Sequence, residues 1–264
     1  MSAIERPADW KNYDDFAAGI ATNRLPSTQA LTGTTHKISF DDGRVLDLAF
    51  ANNGSVAWSD ASGAGAESCD VVLVAPDTYF VDIAFASRPR QAETLIMNVA
   101  TRRVLSVLAV IRDAALARGE PQVAQLFRSG ILGESSMEPE AMRPAPSRDL
   151  IGLRAHYTYS PNHTYEHTYL SSQRYCWQCL VGVQRGHGDV DLTTTYKFDD
   201  DQYVFTFREF KIPVASVFFY NFKDMRSTGK FLGLTGAGAV ENQKAGAFIR
   251  KASMTHYAPG QEPV

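Results

Sequence analysis

Short runs of β-type residues, broken by turn residues, set the texture of most of this chain. From His36 to Ile111 the runs Lys37–Phe40, Val45–Ala51, Val56–Trp58, Val71–Val74 and Tyr79–Phe85 follow one another. Asp41-Asp42-Gly43 and Asn52-Asn53-Gly54 separate the first three; such residues tolerate positive φ and are hairpin signals. The same texture returns from Leu150 to Leu234. Residues 112–148 read differently: Arg112–Arg118 and Pro121–Arg128 as helical, Met137–Ser147 as a Pro-rich linker. Ahead of the first strands, Trp10, Tyr13, Phe16 and Ile20 fall at helical spacing, which predicts a short amphipathic helix over 9–23.

The two β stretches read as a repeat. When Leu31-Thr32-Gly33 is set against Leu150-Ile151-Gly152, Trp58 and Trp177 coincide without a gap. Tyr79 and Tyr203 then correspond after a short insertion in the second half, and Asn98 and Asn221 follow. Many short strands repeated twice predict two small antiparallel barrels, each with an interior lined by alternate residues. The expected fold is all-β, with two tandem barrels and a short helical connector. Its boundaries are an N-terminal helical extension at 1–30, a barrel at 31–111, a connector at 112–148, a second barrel at 149–253 and a tail at 254–264.

Composition narrows the function. The chain has 264 residues, with 26 Lys+Arg against 29 Asp+Glu, a net charge of −3. No basic surplus is available for sequence-independent nucleic-acid binding. No run approaches the roughly 18 apolar residues of a membrane helix, so no membrane partner is expected. The N-terminus lacks the apolar core of a secretory signal. Three cysteines, an odd number without an export signal, predict reduced thiols and a cytoplasmic location.

Candidate chemistry lies in the second half. Tyr157 and Tyr159 share one strand face; Tyr165, His167 and Tyr169 share the next; Tyr203, Phe205, Phe207 and Glu209 share a third. Phenols, imidazole and a carboxylate turned into one barrel need hydrogen-bond partners or a ligand. The alternative places the phenols outside, on the opposite parity.

Leu150-Ile151-Gly152, the pattern Tyr157-x-Tyr159-x5-Tyr165, and Tyr203-Val-Phe-Thr-Phe-Arg-Glu209 resemble the MoaF C-terminal domain, and residues 30–110 resemble its N-terminal partner. The family name has been linked to molybdenum cofactor synthesis and to monoamine catabolism; neither link is a mechanism. The second half also resembles phenolic acid decarboxylases, which are calycin-type (lipocalin-like) barrels working without a cofactor through a quinone methide. By that resemblance Tyr157 and Tyr159 would hold the departing or polar end of a substrate, and Tyr165 with Glu209 would act at the phenol. The arginine of those enzymes is absent here; its place falls at Gly186 or His187, so His187 would supply at most one titrating donor. In the first half Ile38, Phe40 and Leu46 stand at the three tyrosine positions and Phe85 at the glutamate position, which implies an apolar interior.

The resemblance and the parity together imply a cofactor-independent lyase or isomerase acting on a small phenolic compound. Glu209, Tyr165 and His187 are the catalytic candidates, and Tyr157, Tyr159, His167, Tyr169 and Phe207 the substrate-binding ones. A non-catalytic carrier or sensor of a small aromatic molecule is the second class, since such barrels serve both. A homo-oligomer stays open. No metal is expected. The thiols of Cys176-Trp-Gln-Cys179 would face opposite sides of a strand, and His156, His163, His167 and His187 form no ligand set of three at short spacing. His167 with Glu209 is the one pair of interest. Gly236-Ala-Gly238 lacks the strand context of a dinucleotide loop. Trp58 and Trp177 are expected in the cores and Arg226 at a barrel end.

Overall fold

The computed structural model describes residues 6–134 and 143–264. The chain divides into two compact units. One contains Leu25–Val110 and the chain from Gln125 onward through the next strand; the other contains the segment before Leu25, residues 111–124 and Pro146–Val264.

The first unit is a closed barrel of eight antiparallel strands in chain order. They are β1 (Thr35–Phe40), β2 (Val45–Phe50), β3 (Ser55–Asp60), β4 (Gly63–Ala75), β5 (Thr78–Ala84), β6 (Gln91–Asn98), β7 (Arg103–Ile111) and β8 (Val123–Leu132). Strand β2 shows why the chain folds this way. Val45, Asp47 and Ala49 are exposed while Leu46, Leu48 and Phe50 are buried, the period-two alternation of a sheet with one dry face. Those three join Ile38, Phe40, Val56, Trp58, Ile83 and Phe85 in one apolar core. The expected apolar interior is therefore present.

The second unit closes likewise through β10 (Leu153–Ser160), β11 (His163–Tyr169), β12 (Arg174–Val181), β13 (Gly188–Asp199), β14 (Gln202–Arg208), β15 (Val214–Asn221), β16 (Arg226–Leu234) and β17 (Val240–Met254). Pairing of β10 with β17 and of β12 with β13 completes the ring. The remaining elements are two helices, α1 (Tyr13–Ala17) and α2 (Ala114–Ala117), and a two-residue strand, β9 (Ala145–Pro146).

The repeat is visible in hydrogen bonds. The Gly33 N–H donates to Phe50 O at 2.8 Å, and Gly152 N–H to Tyr169 O at 2.9 Å. Asn98 Oδ1 accepts from Ala100 and Thr101 N–H; Asn221 Oδ1 accepts from Lys223 and Asp224 N–H. Asp77 and Asp201 hold φ of 56° and 58° in the turns before β5 and β14. The short insertion of the second half falls in the connection from β12 to β13, longer than its counterpart from β3 to β4.

Two local expectations change. Pro121–Arg128, expected to be helical, runs into β8, whose pairing with β1 (Ile38↔Leu132, Phe40↔Gly130) closes the first barrel. Without that strand both sheet edges would carry unpaired N–H and C=O groups, and this long-range gain overrides local helix character. The barrel thus extends beyond 31–111 into the expected connector. The part of the Pro-rich linker at 135–142 lies outside the described residues. The helix expected over 9–23 is confined to Tyr13–Ala17, because Ala18 is extended and Gly19 has φ +87°. Trp10, Tyr13, Phe16 and Ile20 nevertheless all pack into the second barrel's core. Among the described residues no helix is long and apolar enough to cross a membrane.

The paired glycines give a test of the repeat. Gly33 has φ +77° with open space where a Cβ would go; Gly152 has φ +89° and a Cβ there would lie 2.5 Å from Thr255 O. Gly33→Ala is expected to cost about 1–2 kcal/mol from the left-handed backbone alone. Gly152→Ala should lose at least twice as much, read as the shift in chemical denaturation.

Candidate functional site

The second barrel holds a cavity lined by Tyr159, Tyr165, His167, Tyr175, Trp177, Gln184, Phe207 and Glu209, with Phe16, Ile20 and Phe231 completing its wall. Strand parity supplies most of it. Tyr159 comes from β10, Tyr165 and His167 from β11, Tyr175 and Trp177 from β12, Phe207 from β14, and Glu209 follows β14 directly. Among the described residues no lysine or arginine lines it.

One wall comes from the chain's beginning. The Tyr13 hydroxyl donates to Phe231 O at 3.0 Å and accepts from Gln243 N–H at 3.1 Å, holding the α1 segment over the barrel. Trp10 meets Trp177 edge-on at 5.9 Å between ring centroids. The Lys211 ammonium sits 4.2 Å from the Trp10 ring centroid.

Glu209 is the unusual group. Its side chain is buried and makes no hydrogen bond or ion pair among the described residues. Burial, and next the negative charges of Asp191 and Asp189, push its carboxyl well above the usual carboxylate range. The neutral acid is the form this site favours. The other titratable walls are neutral as well. Burial pushes His167 down to about 3, and its Nδ1 has no partner among the described residues. Burial raises the phenols of Tyr159, Tyr165 and Tyr175. The Tyr165 hydroxyl donates to Gln184 Oε1 at 2.7 Å. The hydroxyls of Tyr159 and Tyr175 have no hydrogen-bond partner among the described residues.

Of the residues proposed from sequence, Glu209, Tyr165, Tyr159, His167 and Phe207 line this one cavity. Tyr157 and Tyr169 are buried behind it and satisfy each other, hydroxyl to hydroxyl, at 2.6 Å. Tyr157 also packs against His167, ring centroids 4.4 Å apart. Both are supports rather than cavity walls. His187 is corrected outright. It sits in the turn before β13, its ring stacked on Trp10 at 5.1 Å and its Nε2 3.1 Å from Asp9 Oδ2, outside the lining. A loop residue has no parity to aim it, and Trp10 offers a flat face.

Three site residues escaped the sequence reading. Tyr175 shares the parity of Trp177 and could have been found by it. Gln184 comes from the insertion between β12 and β13, which no periodicity reaches. Asp191 receives the Trp177 indole N–H at 2.9 Å and Phe210 N–H at 3.2 Å, behind the cavity wall. Burial pushes it up to about 6. Cys176 and Cys179 lie on opposite faces of β12, the first half-buried and the second inward, both as free thiols. No cluster of three or more His, Cys, Asp or Glu side chains suited to a metal occurs among the described residues.

Fold and site together define a tandem lipocalin-like barrel protein with one apolar interior and one polar, aromatic interior. The MoaF N-terminal domain model matches residues 8–113, and the MoaF C-terminal domain model matches residues 144–255. Protein MoaF of Klebsiella aerogenes is 31% identical over 190 residues, 69% of this chain and 72% of that protein. The chain belongs to the MoaF family. Among solved structures, a provisionally named beta-lactamase from Burkholderia vietnamiensis covers 39% of this chain and 95% of its own, at 13% identity and a TM-score of 0.34.

The buried acid has a stability signature. Unfolded, Glu209 ionises near 4.5; folded, it stays neutral to much higher pH. Its contribution is fully present below 4.5 and is lost as pH rises toward the folded value. Glu209→Gln should therefore be more stable than wild type at pH 8. The difference should vanish at pH 4. Denaturation curves of the two proteins at both pH values check it.

Proposed function

We propose that the second barrel binds a small phenolic compound and carries out a cofactor-independent lyase or isomerase reaction on it. The observation that carries this reading is Glu209: a buried carboxyl without a hydrogen-bond partner among the described residues, facing an aromatic cavity. Structural need alone does not explain it. Its counterpart in the first barrel is Phe85, which packs edge-on against Trp58 at 5.6 Å between centroids. Leaving a buried polar group unpaired costs about 1–3 kcal/mol, a loss that ligand binding would offset.

The residues suggest a division of labour. Aromatic walls sandwich the substrate ring. Tyr165, oriented by Gln184, and the hydroxyls of Tyr159 and Tyr175 meet the substrate's polar atoms. Glu209, held neutral, delivers a proton to the side chain or to its leaving group. The phenol's proton passes to solvent water, and the electron pair it leaves flows through the ring to the para position as the side chain or its departing group takes up the Glu209 proton, giving a quinone methide. Because no lysine or arginine lines the cavity, a carboxylated phenol lacks the charged fork it would need. The proposed substrate is an uncharged phenol, and the reaction is not a decarboxylation. A cytoplasmic location accords with the three free thiols.

Turnover measured over a panel of para-substituted phenols, their methyl ethers and their carboxylated analogues tests the reading. An uncharged phenol should react, while its methyl ether and its carboxylated analogue should not. Glu209→Gln should reduce turnover by about 10²–10⁴-fold. Tyr159→Phe or Tyr165→Phe, each removing one neutral hydrogen bond worth roughly 0.5–1.5 kcal/mol, should cost up to about tenfold. Normal turnover by Glu209→Gln would contradict the acid role. Binding without any turnover would replace the enzyme with a carrier.

A further inference from the structure

We propose that Asp191 is a positioning residue for this site: it carries the single negative charge of a facing pair of carboxyls and so keeps Glu209 as a neutral acid toward the cavity. The inference rests on the Glu209 role proposed above. Register places the two acids together. The β13–β14 ladder ends at Leu192↔Arg208. The residues next beyond that pair are Asp191 and Glu209; Asp191 accepts the N–H of Phe210, the neighbour of Glu209, and its charge acts on the Glu209 carboxyl. Facing residues of antiparallel strands have Cβ atoms about 5 Å apart on one side of the sheet. Both carboxyls are buried, and two carboxyls so placed cannot both ionise.

Hydrogen bonding decides which one does. Asp191 receives a donor on each oxygen, the Trp177 indole on Oδ2 and Phe210 N–H on Oδ1. Glu209 receives none among the described residues. Donors stabilise the charged form, so the charge settles on Asp191. The other groups around Glu209 agree. Lys211, the cation among them, pairs with Asp189 at 2.8 Å. Asp189 adds negative charge, and the phenols of Tyr165 and Tyr175 are neutral. Burial, then the Asp191 and Asp189 charges, raises the Glu209 carboxyl, while burial raises Asp191 against the pull of its two donors.

The first barrel holds an acid at the matching place. Glu67 accepts Ala86 N–H at 2.8 Å, as Asp191 accepts Phe210 N–H, each just past the Phe85 or Glu209 position. There the acid only ties down a loop beside Phe85, and the Trp58 Nε1 has no partner among the described residues. In the second barrel the loop-holding acid also bonds Trp177 and faces a second acid. The same backbone anchor stands in both barrels, and only in the second does it lie beside another acid.

The test is a ¹³C NMR titration of the Asp and Glu side-chain carboxyls, which requires no turnover. In wild type, Glu209 should remain protonated at pH 7. Asp191→Asn should lower the Glu209 midpoint by one pH unit or more, a tenfold change in proton affinity. Asp189→Asn should lower it by less than Asp191→Asn does. A smaller fall in Asp191→Asn, or a larger one in Asp189→Asn, would overturn the assignment. Glu209→Gln should move the Asp191 midpoint by less than about half a unit, because Glu209 is already neutral when Asp191 titrates. A larger fall would mean that Glu209 holds the charge, and would overturn it too. If near-ultraviolet circular dichroism shows Asp191→Asn misfolded, the Glu209→Gln titration decides alone. Absence of phenol turnover would remove the proposed function but would leave these midpoints, and so this inference, separately decided.

Discussion

Closing an eight-stranded antiparallel sheet on itself removes both edges and creates an interior that every second residue of every strand must face. The β1–β8 and β10–β17 pairings impose that condition on the two halves of the chain. Once closure is set, each inward side chain has two options. It packs against apolar neighbours, or it finds a hydrogen bond within the barrel. The first barrel takes the former course throughout its core. The second takes both, and leaves a few polar groups facing a space.

The duplication makes each barrel a control for the other. Ile38, Phe40, Leu46, Leu48 and Phe50 occupy the places of Tyr157, Tyr159, Tyr165, His167 and Tyr169. All ten are buried, so the interior accepts either set sterically. What differs is chemistry: hydrocarbon in one, phenols and imidazole in the other. Turn residues that hold the repeat in shape, such as Asn98 and Asn221, are the same in both. The two interiors are thus different linings on one frame, with Glu209 in the second where Phe85 stands in the first.

Strand texture, the two-barrel plan and the inward parity of Tyr159, Tyr165, His167, Phe207 and Glu209 were legible because they depend on alternation, which one sequence displays. The apolar lining of the first barrel was legible for the same reason. Strand β8 was not, since its helical composition is overridden by a pairing partner, β1, far away in the chain. The five-residue α1 was not, because Gly19 and an extended Ala18 break a spacing that reads as longer helix. Gln184 and His187 lie in a turn without periodicity; one reaches the cavity and the other stacks on Trp10 instead. Asp191 acquires its meaning from a cross-strand neighbour, which only register reveals.

The role proposed for Glu209 requires a neutral acid open to a ligand. Infrared difference spectroscopy reads this directly, through the C=O stretch of a protonated carboxyl at neutral pH. The band should be present in wild type, absent in Glu209→Gln, and displaced when an uncharged phenol that binds the protein is added. A spectrum at neutral pH with no protonated-carboxyl band assignable to Glu209, or a band that no bound phenol moves, would contradict it.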